Sequence, residues 1–182
     1  MRLIFKIITV LFLVVFSFEA GATHLIGSEM YYEDLGGGNY LITLKVYREC
    51  GPANTQQTDF DDIIYLGVFY SSTNQLQQVH DVFLNAGTIQ NVPVIMTNPC
   101  GSPPPGLCVE EATYTKTIML GTNGGYDIAW QRCCRNPSIS NLANAGGTDN
   151  PGMTATIHIP FNDEINGSNS SPVFQEFPPV AL

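Results

Sequence analysis

The stretch NYLITLKVYREC, residues 39–50, decides the fold class. Tyr40, Ile42, Leu44 and Val46 fall on one parity, and Thr43, Lys45 and Glu49 on the other. Side chains two apart share a face of a strand, so this alternation predicts a β-strand with one face on a core. Working outward, similar segments stand at 25–33, 63–70, 77–84, 112–120, 125–133 and 153–160. Turn chemistry separates them: GGGN at 36–39, NAG at 85–87, TNGG at 122–125 and NAGG at 144–147. No window of a dozen residues reads as an amphipathic helix. About seven short strands with Gly, Asn and Pro turns predict an all-β, immunoglobulin-like β-sandwich over residues 23–161.

The N-terminus reads MRLIFKIITVLFLVVFSFEAGATH. Arg2 and Lys6 precede an apolar run at 7–18 that is short for a membrane span, and Ala20-Gly21-Ala22 supplies a small-x-small cleavage pattern. Residues 1–22 are therefore read as a signal peptide cleaved after Ala22, the alternative being an uncleaved anchor. No other segment has the ~20 apolar residues of a helical span. The expected location is secreted or cell-surface. Removing the signal leaves five basic and fifteen acidic residues. No basic patch is available to neutralise phosphates, which excludes a nucleic-acid partner.

An exported chain meets an oxidising environment, so Cys50, Cys100, Cys108, Cys133 and Cys134 read as a disulfide framework with one cysteine over. Two of them are adjacent, in AWQRCCRNPSISN at 129–141. Cys134 shares the parity of Tyr126, Ile128 and Trp130, while Cys133 points the other way. A bond between the two neighbours would close a small, strained ring. The expected pairs are Cys50–Cys134 and Cys100–Cys108, the second pinning the triple-proline loop 103–105, with Cys133 left for a partner beyond Leu182. Trp130 shares its strand with Cys134, unlike the tryptophan of antibody domains. Residues 162–182 read as a linker and the start of a following β domain. The chain stops in mid-pattern there, as a fragment of a longer product would.

Several of these segments together resemble the N-terminal region of large exported surface proteins of Bacteroidota. They are THLIGSEMYYEDLGGGNYLITLKVYREC, NPC with CVEEATYTKTIML, GGYDIAWQRCCRNPSISNL and NGSNSSPVFQEFPP. Those proteins are described as gliding-motility-associated, PKD-domain-containing or type IX-secreted. QRCCRN and NSSPVF are the most specific parts, and Ser28 departs from the family's usual second glycine in THxxGGE. The resemblance implies a long, β-rich, multidomain surface protein with a C-terminal sorting domain, a role in adhesion or gliding, and partners among its own downstream domains, surface polysaccharide or other surface proteins.

Sharper site chemistry can be set beside that reading. Asp59, Asp61 and Asp62, with Asp163 and Glu164, are candidate ligands for Ca2+, since hard cations take clustered carboxylates; a solvated acidic loop is the alternative. Tyr31, Tyr32 and Tyr70 are candidate contacts for a glycan. Copper chelation by His24 would need it at the new terminus, but cleavage after Ala22 leaves it second. His80 and His158 sit on the polar parity of their strands, and neither a Gly-x-Ser-x-Gly elbow nor a His-Glu-x-x-His helix appears. Zinc at Cys133 and Cys134 lacks the Cys-x-x-Cys spacing. Arg132 and Arg135 are expected to pair with carboxylates such as Glu49 or Asp127. The sequons NGS at 166–168 and NSS at 169–171 read as linker. The expectation is a non-catalytic surface module, with a glycan-binding module and a secreted hydrolase or copper oxygenase as rivals.

Overall fold

The computed structural model describes residues 25–51, 59–93, 106–121, 124–133, 152–160 and 169–173. The chain there is all-β. The strands are β1 (Leu25–Gly36), β2 (Asn39–Glu49), β3 (Ile63–Tyr70), β4 (Leu76–Phe83), β5 (Gln90–Asn91), β6 (Val109–Met119), β7 (Tyr126–Arg132) and β8 (Met153–Ile159), with a single 3₁₀ turn at Ala86–Thr88. Seven of the eight lie where alternation placed them. The eighth, β5, is a two-residue strand that carries no periodicity to read.

Two four-stranded sheets form, ordered β1-β2-β6-β5 and β4-β3-β7-β8, and all their pairings are antiparallel. The β1–β2 hairpin turns through Gly36, Gly37 and Gly38, all at positive φ. A Cβ on Gly38 would also lie 2.7 Å from the Leu120 carbonyl oxygen, which explains glycine there twice over. One core lies between the sheets. Tyr40, Ile42, Leu44, Val46, Ala112, Tyr114 and Ile118 come from the first sheet, and Ile64, Leu66, Val68, Ile128, Trp130 and Ile159 from the second. The architecture is sandwich-like. Burying each large side chain of this set contributes roughly 1.5–3 kcal/mol.

The outward face of the first sheet is not the plain solvent face that alternation implies. Thr43, Tyr47 and Glu111 are buried there, and Tyr47 forms a small second cluster with Val92 and Val109. Glu111, only 1% exposed, lies opposite Tyr47 in the ladder and within 3.5 Å of the Lys45 ammonium. Lys45 also reaches Glu29 at 3.5 Å, and the Tyr47 hydroxyl donates to Glu29 at 2.9 Å. Gln90 Nε2 donates to the other oxygen of Glu111 at 3.3 Å. The 3.5 Å approach of Lys45 to Glu111 Oε2 is an ion pair without an aligned hydrogen bond, since that oxygen accepts none. Burial opposes the charge of Lys45, but the Glu111 and Glu29 carboxylates outweigh it and hold its pKa above the usual lysine value.

Residues 169–171, expected to be linker, dock on the outer edge of β1. The Tyr32 amide donates to Ser171 Oγ at 2.7 Å, and the Ser171 amide donates to the Tyr32 carbonyl at 3.0 Å. The Asp34 amide donates to Ser170 Oγ at 3.0 Å, and Asn169 Nδ2 donates to the Tyr32 hydroxyl at 3.0 Å. An edge strand exposes unpaired amides, and these serines satisfy two of them.

Candidate functional site

The two ends of the sheets differ. The short turns at 37–38 and 71–75 close one end, where β6 also ends and β7 begins. The longer connections 50–62, 92–108 and 133–152 all leave from the other. That second end is stapled. Glu49 pairs with Val109 in the β2–β6 ladder, so the next residues, Cys50 and Cys108, face each other, and they are disulfide-bonded with Cα atoms 4.9 Å apart. The expected Cys50–Cys134 and Cys100–Cys108 pairs are thereby corrected. Parity identifies the face a cysteine points to, but the register of the ladder selects its partner. Cys133 is disulfide-bonded too, so it is not the cysteine left waiting for a partner beyond Leu182. Its partner, like Cys100 and Cys134, lies outside the described residues.

Two arginines, one from each sheet, hold the segment 59–61 across this end. Arg48 of β2 bonds Glu110 through Nη2 and Nε at 2.7 and 2.8 Å, approaches Asp59 at 3.6 Å, and lies 4.3 Å over the Phe60 ring. Arg132 of β7 meets Asp61 at 2.7 Å, as an ion pair whose N–H is not aligned for a hydrogen bond. The Tyr114 hydroxyl donates to the Asp61 carbonyl at 2.7 Å, and burial pushes its pKa well above the ordinary phenol value. Arg132 thus pairs with Asp61 in place of the expected Glu49 or Asp127. Arg135 is outside the described residues.

Two members of the expected calcium set, Asp59 and Asp61, carry arginine partners, while Asp62 is exposed and Asp163 and Glu164 lie outside the described residues. Among the described residues no three His, Cys, Asp or Glu side chains group as metal ligands do. The tyrosine set is also corrected. Tyr32 is buried and Tyr70 packs on the core against Tyr126, with ring centroids 5.6 Å apart; Tyr31 alone is half-buried outside the core cluster. Sequence parity could have flagged Tyr70, which shares its parity with Ile64, Leu66 and Val68; on β1 a register shift between Leu25 and Gly27 puts the core residues Leu25 and Tyr32 on opposite parities.

The two described histidines stand on the opposite edge strands of the second sheet. His80 pairs with Leu66 on the inward parity, contrary to expectation, and its ring bonds Gln78 at 2.7 Å. Burial, together with Lys116, lowers its pKa below the usual histidine value. His158 keeps the expected outward position, with Asp127 at 2.7 Å and Ser71 Oγ at 3.3 Å. That Ser-His-Asp group is not a relay. Both contacts fall on Nδ1, and one ring nitrogen cannot donate to Asp127 while accepting the Ser71 proton. His24 lies outside the described residues.

No helix among the described residues is long and apolar enough to cross a membrane. The Cys50–Cys108 bond suits an oxidising, extracellular environment. No family model matches the chain, and no curated protein and no solved structure matches it.

Proposed function

We propose that this chain is an exported, non-catalytic module of immunoglobulin-like topology that serves at the cell surface in attachment or gliding, as part of a larger protein. The observation that carries the reading is the staple at the end from which the three longest connections leave. A disulfide at that position fixes the roots of contact loops outside the cell, where the bond persists. The signal-like N-terminus and the resemblance to Bacteroidota surface proteins support the same assignment.

The strand order supports the immunoglobulin-like part. Taken in chain order, β1-β2-β6-β5 over β4-β3-β7-β8 falls into the A-B-E-D and C′-C-F-G arrangement. The staple differs from the antibody one, because it joins neighbouring strands of one sheet instead of bridging the two sheets. Downstream domains of the same polypeptide, with surface polysaccharide or other surface proteins, are the partners this assignment calls for.

Surface proteolysis of producing cells tests it. An antibody to residues 23–182 should detect a band much larger than 19.9 kDa that external protease removes. A band inside the cell, protected until lysis, overturns the assignment.

A further inference from the structure

The outward face of the second sheet carries an apolar strip that no part of the core requires. Along it, Ile63 stands opposite Phe83, Tyr65 opposite Asp81, and Phe69 opposite Leu76. Tyr65 is 60% exposed, Phe83 65%, Leu76 56% and Val79 54%. The edge strand β4 is mixed: half-buried Gln78 and His80 point inward beside buried Val82, while Val79 and Phe83 face solvent with Asp81. A contiguous exposed apolar strip of this kind marks a contact surface. The Phe69 ring folds over Gly67, where a Cβ would sit 2.8 Å from Phe69 Cε2, so the missing side chain makes room for it. Next along the sheet, Asp127 and Ala129 of β7 pair with Phe69 and Gly67, and His158 and Thr156 of β8 pair with those in turn. The face is thus half aromatic and half carboxylate and hydroxyl.

Charge selects among partners. β3, β4 and β8 contain no lysine or arginine, and Arg132 of β7 lies on the inward parity with Trp130 and pairs with Asp61. A face with carboxylates and no lysine or arginine does not suit an anionic partner. A second copy would bring the same face, burying Asp81 and Asp127 against carboxylates with no Lys or Arg to pair them. An uncharged sugar meets neither obstacle. Its polarised C–H groups suit the negative faces of flat aromatic rings, and its hydroxyls can donate to the carboxylates while these stay wet.

We propose that this face binds an uncharged polysaccharide, with Tyr65 and Phe83 as stacking platform and Asp81 and Asp127 as hydroxyl acceptors. The proposal deepens the surface-module assignment, on whose polysaccharide partner it rests, and does not depend on the long connections. The test is affinity electrophoresis of the purified, oxidised protein in gels containing laminarin, xylan, galactomannan or dextran, with alginate as the anionic comparison. At least one neutral polymer should retard the protein and alginate should not. Tyr65→Ala and Phe83→Ala, both at exposed positions, should each weaken retardation by about tenfold or more while near-UV circular dichroism stays native. Retardation by none of the four neutral polymers, or retardation that both variants leave intact, overturns it. So does a dimer in sedimentation equilibrium that either variant dissociates, which would assign the face to a second copy. Failure here leaves surface exposure to be decided by the proteolysis experiment.

Discussion

Cys50 and Cys108 stand directly opposite each other where the β2–β6 ladder ends, and the Cys50 amide donates to the Cys108 carbonyl at 2.9 Å. The bond closes a loop across a sequence separation of 58 and adds a covalent rung to a register already set by hydrogen bonds. Cys50→Ala, Cys108→Ala and the double variant should therefore lose similar stability, about 2–5 kcal/mol each in denaturant unfolding. Peptide mapping of the oxidised protein should recover Cys50 linked to Cys108. A double variant much less stable than either single would mean that the two side chains act separately.

Arg48 and Arg132 hold the same segment with unequal strength. The Arg48 side chain is 11% exposed, forks onto Glu110 and covers Phe60, whereas Arg132 and Asp61 are each about one-third exposed. Arg48→Met should cost about 2–4 kcal/mol, leaving Glu110 unpaired in a partly buried site. Arg132→Met should cost about 0.2–1 kcal/mol. Arg48→Lys should recover little, since an ammonium cannot reproduce the planar fork and the ring contact. Chemical denaturation of the three variants checks the ranking.

The Lys45–Glu111 pair gives a sharper test of the outward face. Lys45→Met should cost roughly 1–3 kcal/mol, below the range for a fully buried pair because Lys45 is 22% exposed. Replacing both by Met should regain much of that loss, because the buried carboxylate leaves with its partner. A double variant as unstable as the sum of the singles would show the two to be energetically independent.

Alkaline pH should unfold the protein through its phenols. Burial raises the pKa of Tyr32, Tyr40, Tyr47, Tyr114 and Tyr126, and Tyr47 is raised further by its hydrogen bond to Glu29. A raised folded-state pKa stabilises the fold fully below the unfolded value, near pH 10, and that contribution is lost as pH rises toward the folded value. Lys45, also raised, acts in the same direction. Stability should fall steeply above about pH 10. Phenolate absorbance from these five rings should rise together with the loss of near-UV circular dichroism. Their ionisation in a protein that keeps its native spectrum would contradict the packing described.

Ser171→Ala removes the hydroxyl that accepts the Tyr32 amide. It should cost about 1 kcal/mol and speed hydrogen exchange at Tyr32, with Ser170→Ala doing the same at Asp34. Unchanged exchange at both amides would mean that the docked segment is not held by its serines.

The core was legible because Tyr40, Ile42, Leu44 and Val46 alternate with polar residues on a strand that has one buried face. Three things were not legible. The partner of Cys50 depends on which strand lies beside β2 and in what register, and both are set by contacts distant in sequence. The acidic run at 59–62 reads alike as a cation site or an anion partner until the strands bring Arg48 and Arg132 to it. On β4, an edge strand, the inward parity carries half-buried Gln78 and His80 as well as buried Val82, so the period was legible and the polarity of each position was not.

The docked segment runs antiparallel to β1, with Asn169 beside Asp34 and Ser171 beside Tyr32. Chain leaving Val173 and chain entering Leu25 therefore head toward the same end of the sheets. Tension lifting the chain at Val173 away from the edge of β1 would open the contacts one after another, as a zipper opens, and would not load them all at once. The segment would yield first, at low force, while β1 and the seven strands behind it stayed folded.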